Sequence, residues 1–226
     1  MTTSPDPYEL PNVSDMTISV LGGTGEQGRG LAQRFAQAGQ RVLIGSRSAE
    51  RAAQIAADIG FGVEGVSNEQ AALDGDIVIV AVPWDGHEEL LSSLVKELTD
   101  TIVVDCVNPL GFDKQGAFAL EVPQGSAAQQ AAAVLPNSRV VAAFHHISAV
   151  LLLDESVESI DTDVLVLGDD RDATNLVQAL AGRIPGIRGI YGGRLRNAGQ
   201  VEAFTANLIS MNRRYKAHAG VRITDV

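Results

Sequence analysis

The run Thr17-Ile18-Ser19-Val20-Leu21 passes directly into Gly22-Gly23-Thr24-Gly25-Glu26-Gln27-Gly28, and the reading of this junction decides the fold. The β-branched and aliphatic residues read as a buried strand, which the glycines break into a tight turn. Gly23, Gly25 and Gly28 fall in the G-x-G-x-x-G spacing, and Arg29 to Ala38 has helical composition. In such a strand–turn–helix one glycine allows the turn, one lets the backbone approach a pyrophosphate, and one lets the helix pack close to the strand. Free N–H groups and the dipole at the helix start then hold negative charge. The pattern implies a dinucleotide site; the plainer alternative is a glycine-rich turn used only for packing.

Gly39 stops this helix, and Arg41-Val42-Leu43-Ile44-Gly45 is the second strand. An NAD site usually places an acidic residue here, roughly 20 residues past the glycines, to hold the ribose 2′-hydroxyl. This chain has Gly45-Ser46-Arg47-Ser48 instead, with Arg51 one helical turn beyond Arg47. A hydroxyl and two guanidiniums without a carboxylate suit a 2′-phosphate, because arginine pairs with phosphate as a bidentate fork. NADP is therefore expected in place of NAD, unless the two arginines are only a solvated helix start.

Around this unit the chain alternates strand and helix. Residues 1–15 hold three prolines and little apolar periodicity, and read as a flexible tail. Helices are expected at Ala49–Ile59, from a Ser67/Gln70 capping box to Leu73, and over Ser126–Leu135. Phe61-Gly62-Val63 reads as a short strand. Asp76 to Val82 is apolar throughout, as for a strand buried on both faces, and ends in Pro83-Trp84-Asp85-Gly86-His87. That is the carboxyl edge, where doubly wound sheets bind ligands. Trp84 there either walls the cleft or caps the sheet, and His87 reads as a solvent-facing helix start without a role. Thr101 to Val107 repeats the pattern before a long polar loop from Leu110 to Gln124. Arg139 to Phe144 is a further strand, leading into His145-His146. Neighbouring residues on a strand face opposite ways, so these two histidines do not share a metal ion; one is expected at the cleft and the other in a structural role. A strand at Asp163–Gly168, a helix at Asp172–Gly182, a strand at Ile187–Tyr191 and a long helix from Asn197 to about Ala217 complete an α/β fold with a mainly parallel sheet.

Composition narrows the classes. The 226 residues are 45% hydrophobic, enough for one large domain or one domain and an appendage. No apolar run approaches the roughly 20 residues of a membrane span, and no signal segment opens the chain. The single cysteine, Cys106, precludes an internal disulfide or a cysteine-based zinc cage, and a cytoplasmic protein is expected. A net charge of −11 argues against nucleic-acid binding. Between Arg183 and Arg222, however, eight basic residues stand against Glu202 alone. That quarter suits an anionic ligand, a subunit contact or simply a solvated basic helix.

These residues together resemble the F420H2:NADP oxidoreductases. The resemblance runs through Ile18 to Gly25, Gly45-Ser46-Arg47, Val82-Pro83-Trp84, Val140-Val141-x-Ala143-x-His145-x-Ile147, Gly168-Asp169-Asp170 and Val201-Glu202-x-x-Thr205, covering nearly everything after the tail. It implies a Rossmann-like doubly wound sheet, with an NADP-binding domain over 16–144 and a small C-terminal domain over 145–226. It also implies a homodimer and reversible hydride transfer between reduced coenzyme F420, a deazaflavin, and NADP. By position Thr24, Gly25, Glu26 and Gln27 would line the NADP phosphates. Ser46, Arg47 and Arg51 would take the 2′-phosphate, and Pro83, Trp84 and Ala149 would flank the rest. The deazaflavin would lie near His145, Thr205 and the segment around Ala219, its anionic tail near Arg213, Arg214 and Lys216. The chain departs from archaeal relatives in carrying Gly199 for an arginine, Ser148 for a proline, and His87 one place later than their histidine.

Direct hydride transfer between two cofactors needs binding, orientation and exclusion of water, with no nucleophile or strong acid–base pair. The sequence accordingly offers no Ser–His–Asp set and no Y-x-x-x-K pair. The competing readings are an NADP-dependent reductase of a small imine or keto substrate and a non-catalytic NADP(H) redox sensor.

Overall fold

The computed structural model describes residues 9–226. In chain order the elements are β1 (Thr17–Leu21), α1 (Glu26–Gln37), β2 (Arg41–Ser46), α2 (Ala49–Ile59), β3 (Glu64–Ser67), α3 (Asn68–Asp74), β4 (Ile77–Val80), α4 (His87–Ser93), β5 (Ile102–Asp105), β6 (Leu110–Asp113), β7 (Gly116–Ala119), α5 (Ala127–Val134), β8 (Arg139–Ala142), α6 (Ala149–Leu153), β9 (Thr162–Gly168), α7 (Arg171–Ala181), β10 (Ile187–Gly193) and α8 (Ala198–Tyr215). Eight strands form one sheet in the order β10-β9-β8-β5-β4-β1-β2-β3. Every neighbouring pair is parallel except β8 and β9, which run antiparallel through Val141–Gly168 and Ala142–Leu167.

This order follows from the pattern of the strands. In β4, Ile77 and Ile79 belong to one hydrophobic core while Val78 and Val80 belong to the other, so a continuous apolar run serves both faces. One core gathers Leu31, Phe35, Ala52 and Ala56 from α1 and α2, and Val177 and Leu180 from α7. The opposite core gathers Ala71, Leu91, Ala128 and Ala198 from α3, α4, α5 and α8. The chain builds outward from β1 to β3, then returns across β1 to β4. Strand order therefore reverses between β1 and β4, and the crevice at their carboxyl ends is the topological switch point.

Several elements differ from the sequence reading. Phe61 (φ +51°) and Gly62 (φ +77°) turn the chain instead of extending it, and β3 begins only at Glu64. The polar stretch from Leu110 is a β-hairpin, β6 paired antiparallel to β7 from Leu110–Ala119 to Asp113–Gly116. The helix α6 was not signalled by any cap or periodicity. It packs on α1, where Arg34 donates to the carbonyls of Leu152, Val157, Leu151 and Asp154 at 2.7–2.8 Å. Of the expected N-terminal tail, residues 1–8 lie outside the described residues. Val13 is buried, and its carbonyl accepts from Gln40 Nε2 at 2.8 Å.

Candidate functional site

The glycine turn sits at the switch point, and its glycines divide the work. Gly22 takes the left-handed φ of +70°, and a Cβ there would fall 2.4 Å from Val82 Cγ1. A Cβ on Gly23 would meet Ile44 at 2.8 Å, and one on Gly28 would meet Gly23 Cα at 2.8 Å. Both close contacts seat α1 against the sheet. Gly25 is different: a Cβ there would find only Gly22 O, at 3.7 Å. Gly25 is exposed, and it is the N-cap of α1 with no side chain capping the helix. The first N–H groups of α1 thus face open space, the arrangement that receives an anion. Thr24, Glu26 and Gln27 line this mouth; Gln27 Nε2 donates to Phe144 O across it at 3.3 Å.

At the end of β2, beside this mouth, Ser46 is buried with its hydroxyl accepting from Ser48 N at 3.3 Å. Ser48 caps α2 by accepting from Arg51 N at 3.2 Å. Arg47 and Arg51 are exposed and form no ion pair among the described residues. No carboxylate occupies positions 45–49. The residues present therefore fit a dinucleotide with a 2′-phosphate: an open backbone cradle, an uncapped helix and two unengaged guanidiniums.

On the other side of the switch point, Pro83 and Trp84 turn the chain from β4 into α4. His87 corrects the sequence reading: it is wholly buried, not solvent-facing. Its Nε2 lies 2.5 Å from Asp105 Oδ2 and its Nδ1 2.9 Å from Gln130 Oε1. These partners are 18 and 43 residues away, so no local spacing betrayed them. The Trp84 ring packs over His87 with centroids 5.5 Å apart and planes tilted by 31°. Burial weakens the His87 cation, but Asp105 and Gln130 more than restore it and hold its pKa above the ordinary histidine value.

β8 ends at Ala142, so the two histidines are not on a strand as expected. Phe144 takes φ +66°, and the turn separates the His145 and His146 ring centroids by 6.5 Å. His146 Nε2 hydrogen-bonds Val201 O at 2.7 Å, the structural role. His145 is 5% exposed, and neither ring nitrogen has a hydrogen-bond partner among the described residues. Burial pushes its pKa down to about 4, so the ring is neutral near pH 7. Its carbonyl accepts from Asn108 Nδ2 at 3.2 Å and from Thr205 Oγ1 at 3.4 Å, and Thr205 also donates to Asn108 Oδ1 at 3.1 Å. The structure thus brings His145 and Thr205 together, through an asparagine that sequence reasoning did not single out. Ala149 opens α6 just beyond, and Ser148 Oγ lies 3.3 Å from His218 Nδ1, beside Ala219. Among the described residues no cluster of three or more His, Cys, Asp or Glu side chains is placed to hold a metal ion.

Glu202, on α8, is buried and accepts from Ala127 N (2.8 Å) and Ala128 N (3.1 Å), capping α5 from another element. Burial raises its pKa to about 7. At Gly199 a Cβ would lie 2.4 Å from Gly125 O, so this backbone has no room for an arginine there. The basic quarter is partly spent within the fold: Arg188 and Arg222 bind Asp163, Arg194 reaches Asp169 and Arg183 donates to Ala38 O. Arg196, Arg213, Arg214 and Lys216 are exposed without an ion pair among the described residues.

A switch-point crevice, an open glycine turn and a helix N-terminus without a cap define a dinucleotide-binding protein of the doubly wound α/β class. Residues 17–109 match the family described as NADP oxidoreductase, coenzyme F420-dependent. An F420-dependent NADP reductase of Methanothermobacter thermautotrophicus is 40% identical over 223 residues, covering 93% of this chain and 96% of that protein. The chain belongs to this family of F420-dependent NADP oxidoreductases. A second relative of the same name, from Methanocaldococcus jannaschii, is 38% identical and is covered over 99% of its length. A crystal structure from Arthrobacter sp. FB24 superposes with a TM-score of 0.80 at 24% identity, covering 92% of this chain and 99% of that one, and shows the same fold.

Proposed function

We propose that the protein transfers hydride directly and reversibly between reduced coenzyme F420 and NADP, in the cleft at the carboxyl ends of β1, β4 and β5. As a member of its family the chain is an NADP-dependent oxidoreductase whose cofactors are NADP and coenzyme F420. The nicotinamide and the deazaflavin supply the hydride chemistry themselves; the protein's part is to hold, orient and dry them.

Thr24, Gly25, Glu26 and Gln27 would hold the NADP phosphates on the first N–H groups of α1. Ser46, Arg47 and Arg51 would hold the 2′-phosphate. Pro83, Trp84 and Ala149 would bound the remainder, and His145, Thr205 and Ala219 would bound the deazaflavin ring. The unpaired Arg213, Arg214 and Lys216 would attract its anionic tail. The observation that carries the reading is that the open Gly25 cradle and the His145–Asn108–Thr205 knot share one sheet edge. His145, neutral at pH 7 and without ring partners, offers a polar contact without adding charge. We further infer a homodimer, and a reducing compartment such as the cytoplasm, where a free thiol like that of Cys106 persists; no helix among the described residues is long and apolar enough to cross a membrane.

The test is to mix the purified protein with NADPH and oxidised coenzyme F420 and follow the deazaflavin's visible absorption. Protein-dependent bleaching, much slower with NADH, is the expected result. NADPH binding without bleaching would overturn the deazaflavin reading and favour a reductase of a small imine or keto substrate, or a redox sensor.

A further inference from the structure

We propose that His87 is a positioning residue of the NADP cleft: as a buried imidazolium bridging Asp105 and Gln130, it fixes the Trp84 indole that walls the cleft. The protonation state follows from hydrogen-bond accounting. Gln130 Nε2 donates to Glu88 Oε2 at 3.3 Å, which turns the amide oxygen of Gln130 toward His87 Nδ1 at 2.9 Å. The reverse amide orientation would set two acceptor oxygens, of Gln130 and Glu88, against each other. On the other edge of the ring, Nε2 faces the Asp105 carboxylate at 2.5 Å. Both ring nitrogens therefore face acceptors, and a ring protonated at both nitrogens satisfies the amide oxygen and the carboxylate together.

The charges around the ring agree with this. Asp105 comes from β5, Glu88 from α4 through Gln130 of α5, and Glu202 of α8 adds its field from further off. His145, also within the field of Asp105, is neutral and does not compete. Removing either His87 or Asp105 would leave the facing atom of the other, Asp105 Oδ2 or His87 Nε2, buried without its partner, an arrangement a merely packed core avoids.

The pair also reaches the cleft on two sides. The Trp84 and His87 ring centroids are 5.5 Å apart, within the ~6 Å over which a cation is attracted to an indole. Asp105 Oδ1 accepts from Val107 N at 3.0 Å, fixing the turn that presents Asn108 to His145 and Thr205. One buried charge pair thus sets the turns after β4 and after β5, on either side of the proposed hydride path. The inference rests on the reading of Trp84 as a wall of the NADP cleft.

Trp84 is the chain's only tryptophan, so its emission reports this site alone. Three readouts on the full chain test the proposal. In long-range proton–nitrogen spectra of histidine-labelled protein at pH 7, the resonance lost in His87→Gln should belong to a ring protonated at both nitrogens. Indole emission should be brighter in His87→Gln than in wild type, because a stacked imidazolium quenches it. NADPH affinity, measured by titration without coenzyme F420, should fall about tenfold in His87→Gln, and the KM for coenzyme F420 should rise by much less. If His87→Gln fails to fold, Asp105→Asn, which keeps the shape and removes the charge, takes its place: the one ring doubly protonated in wild type should become singly protonated in the variant, with brighter emission and the same loss of NADPH affinity. A singly protonated His87 ring in wild type, unchanged emission, or equal losses for both cofactors would overturn the proposal. Since the first two readouts need no coenzyme F420, failure of the hydride-transfer reading leaves them intact and is told apart from failure here.

Discussion

Gly25 and Gly28 stand three residues apart in the same turn, yet their surroundings assign them different duties. Gly25 has φ −81° and ψ 165°, which any residue adopts, and a Cβ there touches nothing closer than 3.7 Å. A Cβ on Gly28 would lie 2.8 Å from Gly23 Cα and 3.1 Å from Gly22 O. Gly25→Ala is therefore expected to leave stability within ~0.5 kcal/mol of wild type, because the weaker cap is offset by the entropy removed from the unfolded chain. It should nevertheless raise the KM for NADPH at least ~10-fold, since the methyl group occupies the space left for a phosphate. Gly28→Ala is expected to cost about 1–3 kcal/mol by overpacking. Thermal melts beside NADPH titrations separate the two; a destabilised Gly25→Ala would mean that this glycine serves packing only. Most of this was legible, because a strand followed by glycines at fixed offsets constrains both geometry and chemistry. His87 was not. A histidine at a helix start looks solvated unless its carboxylate is visible, and Asp105 lies on another strand.

At the scale of elements, the C-terminal segment after α8 is held on β9 by Thr162, whose hydroxyl exchanges hydrogen bonds with Val221, and above all by Asp163. Lys216 ends α8 in the left-handed conformation at φ +51°, and the chain then returns to the sheet. Asp163 N donates to Val221 O at 2.7 Å, while its wholly buried carboxylate accepts from Arg188, Arg222 and Ile223 N. Burial pushes this carboxyl up, but those hydrogen bonds outweigh it and bring the pKa to about 2. A carboxylate depressed in the folded state stabilises above its unfolded pKa and loses that contribution as pH falls through the folded one. Asp163→Asn should cost about 2 kcal/mol at neutral pH, less than the ~3–5 kcal/mol of a wholly buried pair because both guanidiniums reach solvent. The gap between variant and wild type should close as pH falls from about 4 toward 2. Hydrogen exchange should quicken over residues 217–226, around Ala219, before it quickens in the sheet; uniform quickening would place the clamp in the global fold instead. The strands of this sheet were readable as apolar runs, whereas the β6–β7 hairpin and α6 were not. The hairpin β6–β7 is built from Gly, Asp, Lys and scattered Phe, and gains its order by packing β7 on α8. The helix α6 is a single turn and a half, fixed by a guanidinium from α1. Where tertiary contacts supply the order, local propensity carries little signal.

For the whole molecule, the buried titratable groups pull stability in opposite directions with pH. His145 has its pKa lowered from 6.5 to about 4, so the unfolded chain binds more protons than the folded one in that window, and stability rises with pH there. Glu202 has its pKa raised from 4.5 to about 7, so its contribution is present below 4.5 and is lost as pH rises toward 7. Each full shift is worth about 3 kcal/mol at 1.36 kcal/mol per unit, an order of magnitude only. His146 shifts in the same direction as His145, whereas His87, raised above 6.5, contributes no slope below that pH. Between pH 4.5 and 6.5 the falling contribution of Glu202 offsets much of the rise from the two histidines, which flattens the dependence of the wild-type melting temperature on pH. Glu202→Gln keeps one acceptor for the N-terminus of α5 but removes the titration, so the opposing slope of the histidines should emerge. Its melting temperature should climb by several degrees from pH 4.5 to 6.5, relative to wild type at each pH. Parallel curves for the two proteins would mean that Glu202 ionises as an ordinary carboxylate, and that the cap on α5 is a charged one throughout.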